Sequence, residues 1–236
     1  MRHQERLWHL TRSYGMGQEF LAAWVENWGV RDTARLMGAD LGSEVQLSWA
    51  ELEQSSFPED RGVLWIGQLN DRWIQVLQYQ GVQAIDALAE LSIGGRALGL
   101  SWHVNDPGTL LYAVNGSYVT GMDITRPKGG RGSDPHALDA YMEGLQFDWA
   151  DTSWRTDPDL PAGWLEYAEW SETHVEDGED EDYPAEWDDL IQLSLDGYSP
   201  PLAECVTSAF VLIGRITGRE FGRDWMQGVH SCYLIE

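Results

Sequence analysis

Residues 62–124 read GVLWIGQLNDRWIQVLQYQGVQAIDALAELSIGGRALGLSWHVNDPGTLLYAVNGSYVTGMDI, and the fold is decided there. Gly62–Leu69 and Trp73–Tyr79 are rich in Val, Ile, Trp, Leu and Tyr, with Asn70-Asp71 between them as the short polar turn that joins antiparallel strands. In the second run a strand puts Trp73, Gln75, Leu77 and Tyr79 on one face and Ile74, Val76 and Gln78 on the other. The period then changes. Val82, Ile85, Leu88 and Leu91, with Ala89 and Ser92, form a one-sided helical stripe ended by Gly94-Gly95. Three further strand runs follow, Ala97–Val104, Thr109–Val114 and Ser117–Ile124, separated by the turn sequences Asp106-Pro107-Gly108 and Asn115-Gly116.

The stretch predicts a β-hairpin, a helix and a three-stranded meander. The fold class is α+β, a mostly antiparallel sheet with helices packed on one face and an acidic helical section towards the C-terminus.

Upstream, Glu19–Trp28 fits two templates: Phe20, Trp24 and Trp28 mark a helical stripe, yet the same run suits a buried strand ending at Gly29. Arg31–Met37 reads as a short helix stopped by Gly38. Glu44–Ser56 is mixed, with Ser48 placed to cap a helix through Ala50, Leu52 and Glu53. Downstream, Thr125–Gly132 is a Gly-rich loop carrying Arg126, Lys128 and Arg131. Asp134-Pro135 then supplies an N-cap and an N1 proline for a helix to Gly144. In the acidic section, Pro161–Trp170 begins a helix and Pro184–Leu195 recovers helical spacing. Asp196-Gly197 and Pro200-Pro201 frame a break before the apolar helix Leu202–Thr217, and Ser231–Ile235 is a terminal strand.

The division follows: residues 1–146 form the core, 147–200 an acidic, partly helical insertion, and 201–236 a helix and strand that complete the same core.

The chain has 236 residues, 39 acidic and 15 basic, for a net charge of −24. From Glu143 to Asp189 there are 17 acidic residues and one base, Arg155, so most of the excess lies in a fifth of the chain. Such a molecule repels nucleic acid and anionic membranes and attracts basic partners. No apolar run approaches the roughly 18 residues of a membrane span. The opening MRHQERLWHL lacks the apolar core of a signal peptide, and two cysteines make no disulfide scaffold. A cytoplasmic protein is expected.

Four stretches carry a family resemblance. ENWGVRDTARLMGAD (26–40) is a strand leading into a short helix, and LAELSIGGRALGLSWHVN (88–105) is a helix followed by a strand with a Trp and then Asn. The loop GRGSDPHALD (130–139) is followed later by a helix closing in RITGREFGRDWM (215–226). In these the chain resembles a family of uncharacterised actinobacterial proteins, the domain of unknown function 6461, across most of Trp24–Leu145 and Ala209–Met226. A single Lys against 14 Arg fits a GC-rich source. The resemblance implies a fold and no activity, and the acidic section departs from it.

No catalytic constellation stands out. A calcium loop needs glycine at its sixth position and glutamate at its twelfth, whereas Asp177–Asp182 has its glycine second. The six histidines lack zinc spacing, there is no Gly-x-Ser-x-Gly elbow, and His230-Ser231-Cys232 is adjacency without a triad. No metal, cofactor or catalytic residue is assigned.

Trp65, Trp73 and Trp102 lie on strand runs and read as core. Trp149, Trp154, Trp164, Trp170 and Trp187 are interleaved with Glu166, Glu169, Glu172, Glu176, Asp177, Glu179, Asp180, Glu181 and Asp182. That mixture is either a partner-binding surface with aromatic anchors or a set of indoles pinning acidic helices to the core. Arg126, Lys128 and Arg131 form a lesser candidate, an anion site whose alternative is a plain surface loop.

The leading functional expectation is a non-catalytic, acidic interaction protein. It would neutralise a basic protein, either a toxin, as immunity proteins and antitoxins do, or a nucleic-acid-binding protein, as DNA mimics do. The alternatives are a hydrolase or ligand-binding enzyme with a pocket between the sheet and the C-terminal helix, and a structural subunit of a larger assembly.

Overall fold

The computed structural model of the chain describes residues 3–17, 19–80, 87–103, 106–126, 130–156, 160–174, 183–195 and 198–235. The hairpin forms as its sequence requires: β3 (Gly62–Gln68) and β4 (Trp73–Gln80) pair antiparallel, Trp65 opposite Leu77 and Ile66 opposite Val76. Asn70 Oδ1 accepts from the backbone N–H of Arg72 at 3.0 Å and of Trp73 at 3.1 Å, closing the turn. Its Nδ2 donates to Thr217 O at 3.0 Å, which ties the hairpin to the end of a distant helix. The two faces of β4 go where alternation puts them. Trp73 and Leu77 enter one core, and Ile74 and Val76 enter the other.

The meander is β5 (Arg96–His103), β6 (Asp106–Val114) and β7 (Ser117–Asp123). Hairpin and meander are not neighbours. β1 (Glu19–Glu26) lies between them, pairing β4 on one side and β5 on the other. With β2 (Ala39–Ser48) and β8 (Val229–Ile235) the sheet has eight antiparallel strands in the order β2-β8-β3-β4-β1-β5-β6-β7. The terminal strand is therefore internal, wedged between β2 and β3.

β1 resolves the ambiguity of Glu19–Trp28 as strand. Phe20, Ala22 and Trp24 face one core while Leu21, Ala23 and Val25 face the other, so the run has no polar side. A strand buried on both faces loses the alternation that identifies strands and resembles a buried helix.

The long helices cover one face. α1 (His3–Ser13) packs on α8 (Pro200–Thr217), and the core beneath holds Phe20, Trp24, Trp102, Phe210 and Phe221. Phe20 stacks on Trp102 at 4.2 Å and Phe210 on Phe221 at 4.8 Å. The opposite face is covered in part by two short helices, α2 (Val30–Leu36) and α4 (Leu88–Leu91), through Ala34, Leu88 and Leu91. Helices thus lie on both faces, the long ones on one. The expected helical residues Val82 and Ile85 lie outside the described residues.

Ser48 caps α3 (Trp49–Gln54) with a full capping box, its Oγ accepting from Glu51 N and its N–H donating to Glu51. Gly38 and Gly218 end α2 and α8 at φ +77, as their positions predict. The break between the helices falls where it is expected, after Leu195, but α8 begins at Pro200 rather than Leu202: the two prolines are its first residues, where their missing N–H groups cost nothing.

The helix expected from Asp134 to Gly144 shrinks to α5 (Asp139–Met142). Asp134 Oδ1 accepts from His136 N at 3.1 Å, an Asx turn, and Asp134 N donates to Val119 O at 3.0 Å. The residues before the helix are committed to covering the edge of β7.

Candidate functional site

In the acidic section, α6 (Trp164–His174) and α7 (Asp188–Leu195) carry an aromatic layer. Trp164 meets Tyr198 at 4.8 Å and Tyr167 at 5.4 Å, and Trp170 meets Trp187 at 5.7 Å and Tyr183 at 6.2 Å. His9 of α1 stacks on Tyr198 at 6.3 Å, joining the layer to the main body. Helical period explains the mixed sequence: Trp164 and Tyr167 face inward while Leu165, Glu166 and Glu169 face water.

Trp154 and Trp164 are buried and serve as anchors, which corrects their reading as contact residues. Trp170 and Trp187 are half-buried, and Trp149 stays 42% exposed. Glu172 lies on α6, but its side chain is outside the description. Glu176, Asp177, Glu179, Asp180, Glu181 and Asp182 lie outside the described residues, as does Lys128.

A second feature had no counterpart in the sequence reading. The end of α1, the start of β1, α3 and the end of β4 enclose a hollow of about 400 Å³. Tyr14, Trp49 and Tyr79 line it, with ring centroids 6.0 Å apart at 89° for Tyr14–Trp49 and 5.7 Å at 82° for Trp49–Tyr79. Glu19 and Glu53 line it too, beside apolar Met16, Phe20, Leu21 and Leu77, and no basic side chain among the described residues takes part. Neither carboxylate has a side-chain partner among the described residues. Perpendicular aromatic walls beside unpaired carboxylates are the chemistry that holds an ammonium or guanidinium group. The residues come from four separate segments, and nothing in linear order links them. The only trace is Tyr79, on the Trp73–Leu77 face of β4 but left 38% exposed.

Arg126 and Arg131, by contrast, are brought together. Both line a hollow of about 660 Å³ over β6 and β7, with Tyr118, Thr109 and Leu111.

Other chemistry is quiet. Cys205 and Cys232 are buried, and burial pushes their thiols up to about 12 and about 11, far from the reactive thiolate. His230 lies 4.2 Å from the Trp225 ring and 4.5 Å from Trp65, and burial holds its imidazole below the usual histidine range. Its Nε2 donates to Trp225 O at 2.8 Å, while Ser231 points to the other face of β8. Among the described residues no group of three or more His, Cys, Asp or Glu is placed to hold a metal. The space between the meander and α8, where an enzyme pocket was envisaged, is filled by Phe20, Trp102 and Phe210.

These features define an acidic α+β protein with an eight-stranded antiparallel sheet and a cation-suited hollow. No family model, no curated protein and no solved structure matches this chain. Among the described residues no helix is long and apolar enough to cross a membrane.

Proposed function

We propose that the protein is a non-catalytic binding protein that grips a basic protein partner. The partner is a toxin or a nucleic-acid-binding protein whose cationic surface it covers. The acid–aromatic hollow of Tyr14, Glu19, Trp49, Glu53 and Tyr79 carries this reading, because it suits one lysine or arginine side chain of that partner.

The net charge of −24 draws a basic protein in from a distance and speeds encounter. Contact then depends on short-range groups. A cation against aromatic faces contributes about 0.5–2 kcal/mol, more as water is excluded, and the two carboxylates add charge-assisted hydrogen bonds. The acidic section provides a second contact zone on the same side of the sheet, where Trp149, Leu165 and Tyr183 remain exposed among Glu166, Glu169, Asp188 and Asp189. Exposed aromatic groups of this kind slow release once the partner is bound.

The test is affinity for the most basic protein that co-purifies at low salt, measured with purified components. The variant Glu19→Gln/Glu53→Gln is expected to weaken binding at least about tenfold and to flatten its salt dependence. Recovery of no basic protein, or unchanged affinity in that variant, would sink the proposal.

A further inference from the structure

With 39 acidic residues against 15 basic ones, a guanidinium in this chain has carboxylates in plenty, and most of the described ones take a partner. Arg31, Arg35, Arg72, Arg96, Arg155 and Arg219 pair with acids. Arg215 donates to the carbonyls of Tyr141 and Glu143 at 2.7 and 2.8 Å. Arg126 and Arg131 have no side-chain partner among the described residues, and both line the one hollow of about 660 Å³.

The backbone holds both in place. Arg131 N donates to Gly121 O at 2.9 Å and Gly121 N donates to Arg131 O at 2.7 Å, so Arg131 is fastened to the outer edge of β7. Arg126 N donates to Asp123 Oδ1 at 3.2 Å. The same oxygen accepts from Thr125 N at 2.8 Å and Thr125 Oγ1 at 2.7 Å, so Asp123, the one acid among the described residues that line the hollow, is engaged in its own turn.

Part of the floor is Leu111 of β6, whose side chain lies over Gly121 opposite it. A Cβ at Gly121 would come within 2.7 Å of Leu111 Cδ2, so the position has no room for a side chain without a shift. Beside it Tyr118 is 43% exposed and offers a flat ring.

We propose that this hollow binds a phosphate monoester carried on a flat apolar body. The phosphate sits on the Arg126 and Arg131 guanidiniums, and the body lies along Leu111 and Tyr118. Two cations match a dianion, and guanidinium forks fit phosphate oxygens in pairs. The volume is in the range of small-molecule sites. The distant carboxylates do not prevent this, since at physiological ionic strength their repulsion is screened beyond roughly 8 Å. The site is independent of the acidic surface that grips a basic partner.

Calorimetric titration of the full chain with phenyl phosphate, inorganic phosphate, benzoate and phenol tests the assignment. Phenyl phosphate is expected to bind more tightly than the other three. Arg126→Gln/Arg131→Gln should weaken it by at least roughly tenfold, whereas Arg223→Gln, at an exposed arginine outside the hollow, should leave it unchanged. Tyr118→Ala should keep binding of inorganic phosphate and erase the advantage of the phenyl ester. No heat with phenyl phosphate at millimolar concentration overturns the site, as does an equal loss in Arg223→Gln. Benzoate or inorganic phosphate binding as tightly as the ester overturns the ligand class.

Discussion

Glu26 is a charge at the end of a strand buried on both faces, and its side chain is only 4% exposed. Arg96 grips it in bidentate fashion at 2.8 Å from both nitrogens, Arg72 adds a contact at 2.6 Å, and Arg96 itself lies 5.1 Å over the Trp73 ring. The Arg96 hydrogen bonds hold the carboxyl below its ordinary value of 4.5, against the opposing effect of burial. A depressed carboxylate contributes stability that is complete above about pH 4.5 and is lost as pH falls through the lower folded value. His230, depressed by burial, adds an earlier loss that begins as pH falls below about 6.5. Urea unfolding across pH should therefore show stability falling in two stages. Glu26→Gln should cost about 2 kcal/mol at neutral pH and shrink the lower stage, to which Glu51 and Asp224, also held low, contribute as well. A variant with the wild-type slope below pH 4.5 would contradict this. At this scale the sequence was legible where strands were: Trp65, Trp73 and Trp102 are core, as their positions on strand runs imply. It was not legible in the acidic section, because a Trp beside a Glu in sequence lies on the opposite side of a helix. Only the packing separates the anchors Trp154 and Trp164 from the exposed Trp149.

Elements were readable in proportion to the local chemistry that stops and starts them. The β3–β4 turn, the capping box at Ser48 and the αL glycines are set by neighbouring residues and appear as expected. β2 was hidden because it is an edge strand, polar and interrupted by an irregularity between Asp40 and Val45. Asp134-Pro135 has the form of a helix start but is pulled away by bonding to the β7 edge, a tertiary demand with no local mark. Ser48→Ala should cost about 1 kcal/mol by removing the cap. Because α3 carries Trp49 and Glu53, it should also weaken any ligand of the acid–aromatic hollow. Denaturation of the variant together with a cation titration checks both; full stability would mean that the cap is dispensable.

At the scale of the molecule, a net charge of −24 on a chain of this size sets carboxylate against carboxylate. Raising sodium chloride from about 0.01 to 0.5 M shortens the Debye length from roughly 30 Å to a few ångströms, so the melting temperature should rise with salt. A melting temperature independent of salt would mean that the charges are locally balanced. The same field that strains the fold is what brings a basic partner in, but charge alone would bind any cation anywhere on the surface. The account asks for more, a defined place where one cationic side chain is held. The most direct measurement is calorimetric binding of an arginine- and lysine-containing peptide to Glu19→Gln/Glu53→Gln and to Asp71→Asn/Glu90→Gln, two variants with the same total charge. The first is predicted to bind at least about tenfold more weakly than the second; equal affinities would show that the hollow holds nothing and contradict the account.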